Sequence, residues 1–293
     1  MKVIRKFGLR RRLRELGPGL ITGAADDDPS GIATYSQAGA QFGFSMLWTV
    51  IFTLPRMAAI QIVSARIGYV TRRGLVANIK ASFPRGVLLA VVGMLLVANT
   101  LNLAADIAAM AEALRLLVGG SAHVYAVTFG LLCLVLQVFL PYKNHVRWLK
   151  WLTLALLSYV AVVFTLPLDW WGVVGEIVHP RLALDHSTLL MVVAVFGTTI
   201  SPYLFFWQAA QEMEDSTDSP PHTPKDVRRH LRRIKADTII GMTFSNLIAF
   251  FIILSTAATL HAAGVTDIQT SAQAAEALRP LAGEFTFLPR WSN

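Results

Sequence analysis

Residues 23–40 read GAADDDPSGIATYSQAGA, and this stretch decides the fold. Three consecutive aspartates, Asp26, Asp27 and Asp28, interrupt an apolar run and are followed at once by Pro29 and a glycine. Proline lacks a backbone N–H and glycine frees the backbone, so this pair predicts a broken helix. An ionised aspartate at the bilayer centre costs about 3 kcal/mol, which excludes three of them from a lipid-facing position.

The depth of the aspartates in the membrane distinguishes a polar cavity near the bilayer centre from a position at the membrane edge. About ten apolar or small residues precede Asp28, and at about 1.5 Å per residue they reach roughly 15 Å, the middle of a bilayer. We therefore expect Asp28 to line a polar cavity beside unwound backbone. At that depth irregular backbone is tolerated only where it lines such a cavity. Carboxylate and carbonyl oxygens form a hard site suited to a cation. For the shallower Asp26, a position at the membrane edge stays open.

The composition is that of an integral membrane protein. Of 293 residues, 54% are hydrophobic and only 15% charged, whereas soluble domains carry about 25% charge. The mean hydropathy is +0.53. The net charge of +8 arises from basic residues in short links between apolar runs, which favours a membrane surface over nucleic acid as the partner. We accordingly expect the lipid bilayer as a partner and no nucleic acid.

Seven apolar segments are predicted to span the membrane. Links rich in Lys and Arg alternate with neutral ones, which by the positive-inside rule predicts a cytoplasmic N-terminus in the plasma (inner) membrane. Residues 69–85 predict a short amphipathic helix at the interface. The expected organisation is a basic N-terminus over 1–17, a transmembrane domain over 18–262 and an extramembrane segment over 263–293. The predicted spans are 18–40, 44–67, 87–117, 123–141, 147–167, 188–210 and 238–262.

A second helix break is predicted in the sixth span, AVFGTTISPYLFFWQAA. Two broken helices about 170 residues apart are typical of an inverted-repeat transporter, with the site between the breaks. An ordinary proline kink is the alternative. The link that follows, DSTDSPPHTPKD, predicts a flexible loop. The interrupting residues are Gly197, Thr198, Thr199, Ser201 and Pro202.

The third span carries polar residues at helical spacing. Asn102 and Asp106 are four residues apart and so share one face of a helix. This face is predicted to look into the bundle. It lines a polar path or stabilises helix packing, and the sequence leaves both readings open.

At these residues the chain resembles the Nramp family of divalent-metal transporters. The segment GPGLITGAADDDPSGIATYSQAGAQFGFSMLW is similar to the first span of that family, with its Asp-Pro-Gly-Asn break. VSARIGYVTRRGLVANIKASFP is similar to its second span and the following link, and GTTISPYLFFWQ occupies the place of its Ala-Thr-x-Met-Pro-His motif. The resemblance implies an all-α LeuT-type inverted-repeat fold and transport by alternating access, not an enzyme, with the metal as substrate and no resident cofactor.

The resemblance also implies a set of site residues. Asp28 is the principal metal ligand, the Thr198 carbonyl and Ser201 are further ligands, and Asp27 adds charge. The family's Asn falls on Gly31, its Met on Ser201 and its His on Tyr203. Because Ser201 has no thioether, the preference for soft transition metals is lost, which favours Mg²⁺ or Mn²⁺. In this respect the chain is similar to the magnesium-transporting branch of the family. Asp106, Asn102 and Tyr203 are assigned to a polar path.

Other functions stay open at this stage. Ala109 stands where the family has the Glu of its proton route, yet a proton-coupled Mn²⁺/Fe²⁺ importer, a symporter, is an alternative. The family has eleven or twelve spans, and the chain ends where an eighth would begin. The resemblance therefore predicts an incomplete fold of about seven spans, and an inactive truncated remnant is a further alternative. An intramembrane aspartyl protease using Asp28 and Asp106 is a third, although the Gly-x-Gly-Asp motif is missing.

Overall fold

The computed structural model describes residues 26–139, 156–180, 185–218 and 223–268, and within these ranges it contains helices and no strand. A 3₁₀ turn, Gly43–Met46, separates the first two helices, and a π-helical turn, Ala257–His261, follows the last. The helices are α1 Pro29–Phe42, α2 Leu47–Thr71, α3 Leu75–Ser82, α4 Arg85–Val118, α5 Ala122–Phe139, α6 Leu157–Thr165, α7 Trp170–Val178, α8 His186–Thr199, α9 Pro202–Asp218 and α10 Pro224–Thr256.

Five helical stretches in the described part are long and apolar enough to cross a membrane. The second half of predicted span 1 and all of span 2 fall in the first stretch, and spans 3, 4, 6 and 7 correspond to the other four. Residues 18–25 of span 1 lie outside the described part of the chain. Of the fifth predicted span, 147–167, residues 147–155 lie outside the described part of the chain, and α6 covers most of the remainder. The five stretches are Pro29–Thr71, Arg85–Val118, Ala122–Phe139, His186–Ser216 and Pro224–His261.

The surface of α4 and α5 is that of a protein surrounded by lipid. None of the residues in the most apolar window of either helix is buried. Leu117 is 84% exposed, and Leu89 and Val127 are exposed too. A soluble monomer rarely exposes apolar patches of this extent, because water disfavours them. The chain is therefore an integral membrane protein, as its composition predicts.

The described chain divides into two compact units. One, here called unit 1, includes Asp26, residues 54–100 and residues 200–245, while unit 2 begins at Asp27 and includes residues 101–199 and the chain from residue 246 onward. Two of the five boundaries between the units, at Asp26 and Asp27 and between Thr199 and Ile200, fall where the sequence predicts broken helices, and the other three lie inside α2, α4 and α10.

Unit 2 is built around α1, which packs against α8 and against the π-helical turn after α10. Gly39 makes this close approach possible, since a Cβ there would lie 2.4 Å from the Ile253 carbonyl oxygen. Nδ1 of His261 lies 2.8 Å from the Ala40 carbonyl oxygen. The side chain of Gln37 bonds the backbone at Thr266 and Ile268, which ties α1 to the segment after the turn.

Unit 1 packs the second half of α2 against α9 and the first half of α10. Gly68 of α2 lies so near α9 that a Cβ would come within 2.1 Å of the Ala209 carbonyl oxygen. Buried polar contacts join α10 to its neighbours. Gln208 donates to Thr238 over 2.9 Å, and His230 lies 2.9 Å from Glu212 and stacks on the Tyr69 ring.

Two links contain more helix than the sequence predicts. Residues 168–187 include α7, which Asp169 begins by accepting a hydrogen bond from the Trp171 N–H. The flexible loop predicted for the link after the sixth span is wrong at both of its ends, which are helical, while its centre, residues 219–222, lies outside the described residues. α9 continues to Asp218 and α10 already begins at Pro224, because basic and apolar residues alternate at helical spacing through the link. A short helix predicted within residues 69–85 is present as α3, and its place at the membrane interface stays a prediction.

Asp185 begins α8 as its capping residue. Its carboxylate accepts hydrogen bonds from the Thr188 N–H at 3.0 Å and the Ser187 hydroxyl at 2.8 Å. These hydrogen bonds from Thr188 and Ser187 lower the pKa of Asp185 to about 2. The cap is therefore ionised throughout the physiological pH range, and its negative charge is favourable at the positive end of the helix dipole.

Candidate metal-binding site

The helix break at the three aspartates lies slightly earlier than predicted. Asp26 is helical, Asp27 lies in a bend and Asp28 is extended, with φ −77° and ψ 167°. The sequence predicts Pro29 and Gly31 as the breaking residues, but both belong to the first turn of α1. Proline at the first helical position is favourable, because the N–H it lacks would have no partner inside the helix.

Asp28 is the N-cap of α1, and both of its carboxylate oxygens accept hydrogen bonds. Oδ1 accepts from the Gly31 N–H at 2.7 Å and lies 2.7 Å from the Ser30 hydroxyl. Oδ2 accepts from Nδ2 of Asn102 at 2.8 Å. The carboxylate is thus held at a helix N-terminus, where the backbone dipole favours negative charge.

Ser30 lies between two acceptors and has one hydrogen to give. Its hydroxyl oxygen lies 2.7 Å from Oδ1 of Asp28 and 2.5 Å from Oδ1 of Asn102. The side-chain amide of Asn102 donates to Asp28 through its nitrogen, so its oxygen faces Ser30. Because a hydroxyl donates to one acceptor at a time, three oxygens face each other around a single hydrogen. Such a surplus of oxygen acceptors is the environment that a hard cation prefers.

Asp106 adds a second carboxylate at the same helix end. Its Oδ1 accepts from the backbone N–H of Ser30 at 3.2 Å. Asp106 lies one turn along α4 from Asn102, so the two side chains face α1 together, as their spacing predicts. The structure therefore brings together two carboxylates, an amide oxygen and a hydroxyl, all of them hard oxygen ligands.

The second break separates α8 from α9. α8 continues through Gly197, Thr198 and Thr199, which the sequence predicts to interrupt the helix, and the break consists of Ile200 and Ser201. Pro202 begins α9 rather than kinking a continuous helix. Thr199 is buried, and its hydroxyl lies 3.0 Å from the Tyr35 hydroxyl, which links the end of α8 to α1 within unit 2.

The remaining predicted residues are placed as follows. Asp27 is buried, and Thr198 is half-buried in the last turn of α8. Ser201 and Tyr203 belong to unit 1, where Ser201 is buried in the break and Tyr203 is half-buried in the first turn of α9. Asp26 is only 1% exposed and accepts from the Ser245 hydroxyl at 2.6 Å.

Sequence reasoning misses two residues that organise these breaks. Ser30 reads in the sequence as part of the interruption, whereas it contacts Asp28 and Asn102 and anchors Asp106. Tyr35 carries no motif, and its role depends on which helices pack together. Ser245, in the middle of the seventh span, is predicted to form an interhelical hydrogen bond, and it donates to Asp26. One sequence signal could have indicated the role of Ser30. It lies two residues after an N-cap aspartate, where the backbone N–H has no partner inside the helix.

No group of three His, Cys, Asp or Glu side chains suited to a metal is present in the ranges that the structure describes. The oxygen cluster at the start of α1 has two carboxylates and otherwise neutral groups. A structural metal site usually has a full set of strong ligands, whereas an ion in transit must leave again. The composition of the cluster suits weak, exchangeable binding.

Comparison with known proteins identifies the family. Residues 19–288 match the Nramp family model, described as natural resistance-associated macrophage protein-like. The divalent metal cation transporter MntH of Verminephrobacter eiseniae is 29% identical over 287 residues, covering 95% of this chain and 63% of the relative. MntH of Deinococcus radiodurans is 31% identical over 283 residues, covering 94% and 63%. The chain thus spans a little under two thirds of the length of these relatives.

Solved structures agree on the fold. A crystal structure of the Eremococcus coleocola manganese transporter superposes with a TM-score of 0.71 at 18% sequence identity, covering 87% of this chain and 53% of that one. A mutant of the same transporter gives a TM-score of 0.70, also at 18% identity, and covers 88% and 54%. The expected fold class, an incomplete all-α LeuT-type arrangement, is confirmed by this similarity. The chain belongs to the Nramp family.

Proposed function

We propose that this chain moves a divalent metal cation across a membrane by alternating access, with Asp28 as the principal ligand. The observation that carries the proposal is the oxygen cluster of Asp28, Ser30, Asn102 and Asp106 at the start of a helix that follows a break. The relatives that match nearly the whole chain bear the name of divalent metal cation transporters, which supports the same function.

The chemistry of the cluster favours a hard ion. Every candidate side chain around Asp28 presents oxygen, and the break in the other unit carries Ser201, a hydroxyl residue without a soft sulfur. Oxygen ligands suit Mg²⁺ and Mn²⁺, whereas thioethers and thiolates select softer ions. We infer that the transported ion belongs to the Mg²⁺ or Mn²⁺ class.

The position of the two breaks supports alternating access. Each coincides with one of the five boundaries of the compact units, at Asp26 and Asp27 and between Thr199 and Ile200, and the other three boundaries lie inside continuous helices. Non-helical residues absorb changes of φ and ψ more easily than helical ones, so breaks at unit boundaries are suitable hinges. Under this proposal the backbone at the two breaks changes conformation as the ion passes.

Further residue roles are proposed as well. Gly31 holds Asp28 through its N–H. Asp27 adds negative charge, and the ligand roles of Thr198 and Ser201 rest on the sequence pattern. Asp106, Asn102 and Tyr203 form the proposed polar path. The proposed location is the plasma (inner) membrane, with a cytoplasmic N-terminus as the basic links indicate.

An uptake assay tests the function. The full chain is reconstituted in liposomes containing a metal-sensitive dye, and Mn²⁺ and Mg²⁺ are supplied outside. We expect uptake by the wild type, competition between the two ions, and loss of uptake in Asp28→Ala. A second dye that reports internal pH separates simple transport from proton symport.

Three outcomes would contradict the proposal. Equal uptake by wild type and Asp28→Ala would remove Asp28 from the path. Mn²⁺ uptake unaffected by excess Mg²⁺ and accompanied by internal acidification would favour the proton-coupled Mn²⁺/Fe²⁺ importer. Wild-type protein that binds metal and gives no uptake would favour an inactive chain.

Asn102 provides a separate prediction about the site. Asn102→Ala removes the donor to Oδ2 of Asp28 and the oxygen facing Ser30, so Asp28 loses its fixed orientation. We expect Mn²⁺ affinity to fall about tenfold, the usual effect of losing a partner that orients a ligand. Equilibrium dialysis of the purified protein measures the affinity.

The control for this variant is Thr100→Ala on the same helix. The exposed Thr100 hydroxyl donates to the Leu96 carbonyl of its own helix and reaches no residue of the site. Its removal is expected to leave Mn²⁺ affinity unchanged. Equal affinities of Asn102→Ala and wild type would show that Asn102 does not orient the ligand.

A further inference from the structure

Five basic residues form one exposed stripe along the first half of α10. They occur at helical spacings that place them on a common face, and all five are exposed. None of them forms an ion pair with a carboxylate in the part of the chain that the structure describes. The residues of this stripe are Lys225, Arg228, Arg229, Arg232 and Lys235.

The opposite face of the same turns is packed against unit 1. Ile234 is 1% exposed and contacts Ala65 and Tyr69 of α2, with Val227 and Leu231 beside them. Arg233, which lies off the stripe, is paired with Asp215 of α9 at 3.3 Å. The orientation of the helix is therefore fixed by packing, and the stripe is its free face.

The exposed face of α10 changes from basic to apolar within a single turn. Ile239 and Ile240, which continue the face just after Lys235, are 40% and 49% exposed. Exposed isoleucines on a membrane-crossing helix lie against hydrocarbon, so the charged residues directly before them lie at the level of the lipid headgroups. α10 has 33 residues, about 50 Å, which exceeds the roughly 30 Å of hydrocarbon.

We propose that this stripe is a binding surface for the headgroups of anionic phospholipids. Adjacent Lys and Arg residues at the end of a membrane helix attract negative lipids, and each contributes about fivefold in affinity near the surface. Such lipids would hold α10, and with it α2 and α9, at a fixed height in the membrane. The lipid contact is independent of the metal site and of transport.

The rise of the helix gives the distance of each basic residue from the hydrocarbon. Lys235 is four residues from Ile239, about 6 Å, whereas Lys225 is about 15 Å further away. Headgroup attraction declines within a Debye length of about 8 Å at physiological ionic strength. Lys235 and Arg232 should therefore contribute more to lipid binding than Lys225.

Native mass spectrometry of the purified full chain tests this surface. The protein is titrated with phosphatidylglycerol or phosphatidylcholine in neutral detergent, and bound lipids are counted. We expect phosphatidylglycerol to be retained in preference to phosphatidylcholine. The triple variant Arg229→Gln, Arg232→Gln, Lys235→Gln should lose at least about tenfold in phosphatidylglycerol affinity.

A charge-matched control compares the two ends of the stripe. The double variants Arg232→Gln, Lys235→Gln and Lys225→Gln, Arg228→Gln have the same net charge, and the second, whose residues lie further from Ile239, should retain the lipid better. Equal losses in both double variants would show that net charge, not the position of the stripe at the headgroups, attracts the lipid. Equal retention of both lipids by the wild type, or displacement of phosphatidylglycerol by the same concentration of inorganic phosphate, would overturn the proposal.

Single variants keep the test independent of folding. Lys235→Gln and Lys225→Gln both replace exposed residues and should leave the elution volume in size-exclusion chromatography unchanged. The first is expected to weaken phosphatidylglycerol binding about fivefold and the second much less. An equal or reversed order would contradict the proposed position of the headgroups.

Discussion

Gly39→Ala is expected to destabilise the protein by about 3 kcal/mol, the upper end of what overpacking usually costs. An added Cβ would lie 2.0 Å from the Thr256 hydroxyl and 2.4 Å from the Ile253 carbonyl oxygen. The hydroxyl could rotate, but the carbonyl belongs to the backbone and cannot. α1 would have to move away from α10, and the helix that carries Asp28 would lose its support.

Gly68→Ala should act similarly within unit 1, because its Cβ would meet the Ala209 carbonyl oxygen at 2.1 Å. The control is Gly93→Ala in α4, where no atom lies within 4 Å and alanine favours the helix by about 1 kcal/mol. The fraction that elutes as a monodisperse peak after heating reports stability. If Gly39→Ala survived heating as well as Gly93→Ala, the close approach of the two helices would be wrong.

Asp28→Asn is expected to lower Mn²⁺ affinity by roughly a hundredfold, which corresponds to about 2.7 kcal/mol. The substitution is nearly isosteric and asparagine is a good N-cap, so the start of α1 should persist. What is lost is the negative charge and one strong ligand oxygen. Equilibrium dialysis with Mn²⁺ and competition by Mg²⁺ provide the measurement.

The matched control is Asp185→Asn, which makes the same chemical change at the N-cap of α8. Asp185 is exposed and caps its helix through Thr188 and Ser187. It should leave metal affinity unchanged. If both variants weakened Mn²⁺ binding equally, the effect would reflect net charge and not a ligand at residue 28.

Much of the fold could be predicted from the length of the apolar segments alone. A membrane helix needs about 20 apolar residues, and such runs are visible without tertiary information. The bounds of the helices were less predictable, because packing extends them. α10 begins at Pro224, well before its predicted span at 238, since Val227, Leu231 and Ile234 give the basic link a buried face. α7 could not be found as a span because its nine residues are too few to cross the membrane.

The chemistry of the site was predictable where it depends on spacing. Asn102 and Asp106 share a helix face, and both contact residues at the start of α1 as that spacing allows. The break is misplaced when Pro29 is read only as a helix breaker, because Asp followed by Pro is also a helix-start signal. Ser30 could not be assigned, because its partners come from a helix that lies 72 and 76 residues further along the chain.

The central claim is that a divalent ion binds at the start of α1. The most direct measurement is an anomalous difference map from crystals of the full chain grown with Mn²⁺. We predict one strong peak within about 2.0–2.6 Å of a carboxylate oxygen of Asp28, at the usual metal–oxygen distance. A saturating Mn²⁺ soak that produced its peak elsewhere and none at Asp28 would contradict the account.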